Sequence, residues 1–396
     1  MKKLLFIILL FMSINAYSAD VTRYVDFTDG NDGGAGHDGS TPALAWLTTD
    51  YALSLTAGAT STSDVKIYFR GGQTESAGVR RTFDYDGYDD THRYSLIADR
   101  FGQFWSSTGE CKLSCTADLV FIMTNKDFIT IRGFEFSYSV NTNLNGAIYN
   151  TGTCANVIIE ECFFHDIVAT NANQYNFGGI SWGGTALNSS TAVIIRNCIF
   201  ANISSNDWYT AGVMAYACGY MYLYNNTFYN IVCSATDQSY TQACLVIYGS
   251  NVSPTTVIAK NNIFMKCSLQ LIKLSWVNAA GNVVFTGNNN CYYKDGASRT
   301  GRKRNDAGTT INDYTNLDAD GDDAGWRSIS GDAASVEIDP LLETPATTRA
   351  TYKIQGISGC INTGAAGLVT YDNYERLRLI GCSDIGAYQY KQMEVR

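Results

Sequence analysis

Between residues 128 and 292 apolar and polar positions alternate in short runs, and each run closes on an aromatic. FITIRGFEF, VIIEECFF, VIIRNCIF, YLYNNTF, IAKNNIF and NNCY align on Phe136, Phe164, Phe200, Phe228, Phe264 and Tyr292, at spacings of 28, 36, 28, 36 and 28 residues. The position seven before the aromatic holds Ile129, Val157, Val193, Met221 and Val257, and the position five before holds Ile131, Ile159, Ile195, Leu223 and Ala259. All are apolar, and alternation with period 2 marks strands with one buried face. A repeat of this length is too long for a hairpin meander, and helix signals are scarce. The pattern predicts parallel strands stacked coil on coil.

Equivalent residues of neighbouring coils then lie about 4.8 Å apart and form ladders. Three before the aromatic stand Asn197, Asn225, Asn261 and Asn289, with Gly133 opening the series. Both residue types tolerate the left-handed backbone of a sharp corner, and stacked amides hydrogen-bond along a ladder. Three after it, Ile167, Ile203, Ile231 and Cys267 form another column. A second strand per coil is expected in GAIYN, GGISWGG, GVMAYACG and CLVIYGS, where Tyr149, Trp182, Tyr216 and Tyr248 recur at spacings of 33, 34 and 32. VKIYF, YSLIA and DLVFI read as strands of the first coils; SVEIDPLL, TYKIQGIS and SDIGAYQY read as those of the last.

No linker or charge block divides the chain, which holds only 4 prolines in 396 residues. The expected organisation is a signal peptide over 1–19 and one domain over 20–396. Within it, 20–64 form the N-terminal cap, 65–293 the main coils and 294–396 loop-rich closing coils. Met1, Lys2 and Lys3 precede an apolar run from Leu4 to Met12 and small residues at Ala16, Ser18 and Ala19, the form of a secretory leader. No cysteine follows for lipid attachment, no C-terminal anchor is evident and the run is too short for a lasting transmembrane helix. A secreted or cell-surface location is expected. Loss of Lys2 and Lys3 leaves 26 basic against 37 acidic residues, a formal charge of −11, which disfavours nucleic acid as a partner. Of the 12 cysteines, Cys111 with Cys115 and Cys360 with Cys382 are the candidate disulfides; the others sit in apolar strand patterns as small buried side chains.

The N-terminal YVDFTDGNDGGAGHDGSTPALAWLTTDYAL resembles the opening motif of bacterial right-handed parallel β-helix proteins, in which an Asp/Gly-rich loop precedes a short capping helix. FITIRGFEF resembles the strand-and-turn unit of the pectate-lyase-like superfamily, and IDPLL, SGCINTG and DIGAYQY resemble the closing region of exported choice-of-anchor β-helix proteins. The resemblance implies an all-β, right-handed, single-stranded parallel β-helix of about 28–36 residues per coil. It is weak on activity, because one scaffold hosts many functions.

Chemistry-bearing residues cluster on one outward row: Arg132, Glu160, Arg196, Tyr224 and Lys260 occupy the position four before the aromatic. Lyases of the superfamily neutralise a uronate and abstract its C5 proton with an Arg, Lys or Tyr, so Arg132, Glu160, Arg196 and Lys260 are the candidate catalytic residues. The competing reading is a surface ion-pair ladder worth about 0–1 kcal/mol per pair. Glycosidases on this scaffold use aspartate clusters, and here the central coils offer only Glu160, Glu161, His165 and Asp166, with no GHG motif. Trp182, Trp208, Tyr209, Tyr216 and Tyr248 are candidate sugar-stacking residues if they face outward, and a second core ladder if they face inward. Calcium is a candidate cofactor at Asp318, Asp320 and Asp322, and in the loop bearing Asp26, Asp29, Asn31 and Asp32. The expected function is binding or processing of a polysaccharide or glycoconjugate along the lateral face. A polysaccharide lyase or glycoside hydrolase is one alternative, and a non-enzymatic adhesin or stalk is the other; oligomeric state is left open.

Overall fold

The computed structural model describes residues 20–387, apart from 79, 116–119, 141–145, 170–176, 185–187, 206–208, 234–240, 251–253, 278–281, 296–298, 306–309, 320–323, 344, 346–347, 362, 367 and 369–383. Its strands form three nine-stranded sheets that share one axis. One coil shows the plan: Val193–Arg196 belongs to sheet 1, Ile199–Ser205 to sheet 2 and Tyr209–Tyr216 to sheet 3, and Gly219–Tyr224 returns to sheet 1 beside Val193–Arg196. Successive coils pair in parallel register, so the protein is a parallel β-helix as expected. Among the described strands only the outermost of sheet 3, Thr310–Tyr314, pairs antiparallel, with Arg299–Asn305.

The run that reads in sequence as a single strand is two strands in different sheets. They are split by a residue with left-handed backbone: Gly133 (φ 83°), Asn197 (53°), Asn225 (55°), Asn261 (59°) and Asn289 (52°). Glu161 takes the same corner at φ 56°, where a glutamate has none of the local advantage that Asn or Gly has. The buried amide ladder is formed by the next residue along. Asn226, Asn262 and Asn290 are fully buried; Asn226 N–H donates to Asn262 Oδ1 (3.0 Å) and Asn262 N–H to Asn290 Oδ1 (2.9 Å). Their Nδ2 groups donate to the carbonyls of Ile195, Leu223 and Ala259, each at 2.9 Å. Corner backbone groups removed from water thereby gain partners. Cys162 and Cys198 fill the same position in earlier coils, their Sγ donating to Ile131 O (3.7 Å) and Ile159 O (3.6 Å).

Inside, Phe136, Phe164, Phe200, Phe228, Phe264 and Tyr292 form one stack, with successive centroids 4.7, 4.8, 4.8, 5.0 and 5.6 Å apart and ring planes within 14°. All six are fully buried. Offset stacking adds about 0.5–1.5 kcal/mol per pair to the area buried. The N-terminal edge is covered by Val21–Val25, which joins sheet 1, and by the helix Thr49–Leu55, where the Thr48 side chain accepts from Tyr51 N–H and Ala52 and Leu53 are buried. At the other end Trp326 packs against Phe285 and Tyr314. Such covers blunt edges that would otherwise pair with another chain.

Of the closing segments, SVEIDPLL continues sheet 2 by a single parallel bridge from Val336 to Cys291; beyond it the segments leave the coils, Leu342 bridges Ile354 antiparallel, and the chain runs back along the outside of sheet 2 as an arm. The cause lies in the outward residues of that sheet: Phe163, Ile199, Ala201, Ile263 and Met265 are apolar and pack with Leu342, Tyr352, Ile354, Cys360, Ile385 and Ala387. The corner asparagines hold the arm in place of stacking on each other. Asn289 Nδ2 donates to Thr363 O (2.9 Å), Asn261 Nδ2 donates to Ala365 O (2.7 Å), and Asn261 Oδ1 accepts from Ala365 N–H (2.6 Å). Cys111 and Cys115 are the two ends of one strand, both inward, about 13 Å apart at about 3.3 Å per residue, too far for the expected disulfide. Cys382 lies outside the described residues.

Candidate functional site

The outer face of sheet 1 carries a row of polar and aromatic side chains in parallel register. Tyr24 pairs with Tyr68, Tyr68 with Ile97, Ile97 with Arg132, Arg132 with Glu160, Glu160 with Arg196, Arg196 with Tyr224 and Tyr224 with Lys260. The four residues singled out from sequence, Arg132, Glu160, Arg196 and Lys260, therefore do share one ladder. Arg196 Nη2 and Nε lie 2.6 and 2.7 Å from Glu160 Oε2. Arg132 Nε lies 3.9 Å from Glu160 Oε1 and 3.1 Å from Glu161 Oε2. Burial, with Tyr222 adding to it, pushes the Tyr224 phenol up to about 12, so it keeps its proton at neutral pH.

In most coils sheet 1 turns into sheet 2 within two residues, as at Asn197–Cys198. One coil instead inserts residues 100–110 between Tyr94–Asp99 and Cys111–Cys115. The buried Asp99 carboxylate organises this loop by accepting from the N–H groups of Gln103 (2.7 Å), Phe104 (2.8 Å) and Trp105 (3.4 Å). Phe104 packs on Tyr68 (centroids 4.4 Å) and Trp105 on Tyr24 (5.6 Å), so the loop stands over the N-terminal end of the row. Between loop and row lies a cleft of about 240 Å³ lined by Tyr68, Ile97, Ala98, Asp99, Arg100, Phe101, Gln103 and Arg132. This is smaller than the roughly 300–1,000 Å³ of sites for drug-sized molecules. Phe101 is 48% exposed, with the Arg100 guanidinium 5.0 Å from its ring centroid.

Glu161 does not line the cleft but pairs with two arginines that do. Its carboxylate is 3.3 Å from Arg100 Nη2 and 3.1 Å from Arg132 Nε, and its side chain is 5% exposed. Burial raises its carboxyl above the ordinary value, against the pull of Arg132 and Arg100. The C-terminal arm reaches this point too: Arg349 donates to Glu161 O (2.5 Å), Gly133 O (3.3 Å) and Phe134 O (3.3 Å), and pairs with both oxygens of Glu110 (2.8 and 2.7 Å) at the base of the loop. Glu161 thus breaks the Asn/Gly corner pattern at the one rung where cleft, row and arm meet. Departures from a local rule concentrate at functional positions.

The aromatic candidates do not form one column. Trp182 pairs in register with Asn150 and Ala215, faces the interior and is fully buried, with no hydrogen-bond partner for Nε1 among the described residues. Tyr216 pairs with Tyr248 on the outer face of sheet 3, centroids 5.0 Å apart, and Tyr216 is 40% exposed. Strands here repeat at 32 and 33 residues where the aromatics recur at 33 and 34, and a slip of one residue flips the face. The Tyr216–Tyr248 pair lies in a different sheet from the arginine row. The backbone of Tyr209 opens the strand Tyr209–Tyr216, and Trp208 lies outside the described residues.

The calcium candidates fare differently from one another. Asp26 and Asp29 are bound by Arg70 Nη1 (2.7 and 2.8 Å), and Asp32 accepts from Leu47 N–H and Thr48 N–H, so these acids already build the turn. Asp318 pairs with Arg327 (2.5 Å); Asp320 and Asp322 lie outside the described residues. Among the described residues no three His, Cys, Asp or Glu side chains gather as a metal site. Sequence reasoning missed Tyr68, Asp99, Arg100 and Phe101, and weighed Glu161 only as a carboxylate beside Glu160. Its available signal was the inserted RFGQFWSSTGE, rich in aromatic and polar residues at a corner where most coils need two residues.

No protein-family profile matches the chain, and no curated protein matches it. Among solved structures, the chain is similar to the crystal structure of pectate lyase Pel9A, at 12% identity and a TM-score of 0.40, over 95% of this chain and 98% of that one. No described helix is long and apolar enough to cross a membrane.

Proposed function

We propose that the outer face of sheet 1 binds a polysaccharide or glycoconjugate, with one sugar ring seated in the cleft beside Phe101 and the chain continuing along Arg132, Glu160, Arg196, Tyr224 and Lys260. The observation that carries this reading is the cleft itself, placed at the end of a continuous outward row. It combines an exposed ring for stacking with fixed charged and amide groups for hydroxyls and acidic substituents. The leader-like residues 1–19 fit a working place outside the cytoplasm. A lyase reading has less support, because Arg132 and Arg196 are engaged by Glu160 and Glu161 and the Tyr224 phenol stays protonated. A glycan array, with a pull-down on insoluble polysaccharides, tests binding; retention on no glycan refutes it. Incubation with uronate polymers, read by ultraviolet absorbance of unsaturated products, separates cleavage from binding.

A further inference from the structure

The arm brings together two thiols that are far apart in sequence. Cys291 opens the strand Cys291–Tyr293 of sheet 2, and Cys360 lies on the arm. Both are fully buried in the apolar cluster between arm and sheet. Ile338 links their surroundings: Cys291 Sγ is 3.3 Å from Ile338 O, and Gly359, the residue before Cys360, sits so close that an added Cβ would lie 2.4 Å from Ile338 Cδ1. The backbone holds the same place, since Val336 bridges Cys291 and Ile385 N–H donates to Cys360 O (2.9 Å). Cys360 shares that packed cluster with Cys291 and, after burial, helps hold the Cys291 thiol above its ordinary value.

We propose that Cys291 and Cys360 are joined by a disulfide when the chain folds in an oxidising environment, fastening the arm to the solenoid. The oxidant is an external disulfide, on a protein or a small thiol. One cysteine thiolate attacks it, expels a thiolate and forms a mixed disulfide; the second cysteine thiolate then displaces the remaining half. Two protons leave the cysteines, two electrons pass to the oxidant, and it departs as two thiols. Burial pushes the seated Cys291 thiol well above its ordinary value, so the exchange takes place before the arm closes. Two other cysteine pairs among the described residues lie inside the solenoid. Cys162 and Cys198 serve as donors to corner carbonyls, in the place of the ladder amides, and Cys244 and Cys267 belong to the interior cluster. Neither pair joins the arm to the solenoid.

The test is a thiol map of the full chain recovered from an oxidising compartment, alkylated in denaturant without reductant and then digested. The expected result is a peptide linking Cys291 to Cys360 that disappears on reduction. Alkylation of both residues, or a link from Cys360 to Cys382, overturns the proposal. Thermal melting supplies a second readout that does not depend on glycan binding. The wild-type midpoint should fall by several degrees when reductant is present during the melt, and that sensitivity should vanish in Cys360→Ser. A wild-type midpoint indifferent to reductant overturns the proposal as well.

Discussion

The outer faces of sheets 1 and 2 are built on the same repeat and end in opposite states. Sheet 1 presents Arg132, Glu160, Arg196, Tyr224 and Lys260 to solvent, whereas sheet 2 presents Ile199, Ala201, Ile263 and Met265 and is covered by the chain's own arm. Stacking constrains only the inward positions, so the outward ones record what each face meets. An apolar outward ladder calls for a permanent cover, and a charged and aromatic one remains free for a soluble partner. The joint between the two faces is Arg349, which ties the arm to Glu110 and to the corner backbone behind the cleft.

Breaking that joint should have the largest effect. Arg349→Ala removes the ion-pair partner of Glu110 and one donor from each of three corner carbonyls, and a loss of about 3–5 kcal/mol is expected by denaturant unfolding, with earlier proteolysis within the arm. The same pair sets a pH signature. Burial works to raise the Glu110 carboxyl, but Arg349 outweighs it and holds the group below its ordinary value. The stability this contributes is fully present above the ordinary carboxylate range and is lost as pH falls through the depressed folded value. Wild type and Arg349→Ala should therefore converge in stability on acidification.

Ile263→Ala, beneath the arm, should cost about 2–5 kcal/mol by thermal or urea unfolding, because the site is fully packed between two layers. Phe101→Ala, in the open cleft, should leave the melting midpoint nearly unchanged while weakening glycan binding by about 0.5–1.5 kcal/mol in calorimetric titration. Arg196→Ala should be smallest for stability, about 0–1 kcal/mol, since its pair with Glu160 is partly exposed.

The coil period, the aromatic stack and the sheet 1 row were legible in the sequence because each is a fixed offset from one aromatic. The corner was only half legible: Asn-Asn doublets marked its place, but geometry decided that the first residue takes the left-handed backbone and the second is buried in the ladder. The aromatic column failed at Trp182 because loop lengths vary by a residue between coils, and sequence spacing carries no record of which residue the loop absorbs. Past Val336, which does add a parallel rung at Cys291, the arm was misread because its apolar segments look like strands locally, while what they pack against lies on coils far upstream. The cleft was hidden for a similar reason, since Arg100 and Glu161 meet only through stacking of two coils.

The most direct measurement is affinity electrophoresis of wild type, Phe101→Ala and Tyr216→Ala through gels holding a panel of neutral and acidic polysaccharides. With sheet 1 as the binding face, at least one polysaccharide retards the wild type, Phe101→Ala loses much of that retardation and Tyr216→Ala keeps it. Retardation that survives in Phe101→Ala and disappears in Tyr216→Ala would move the site to sheet 3 and contradict the account.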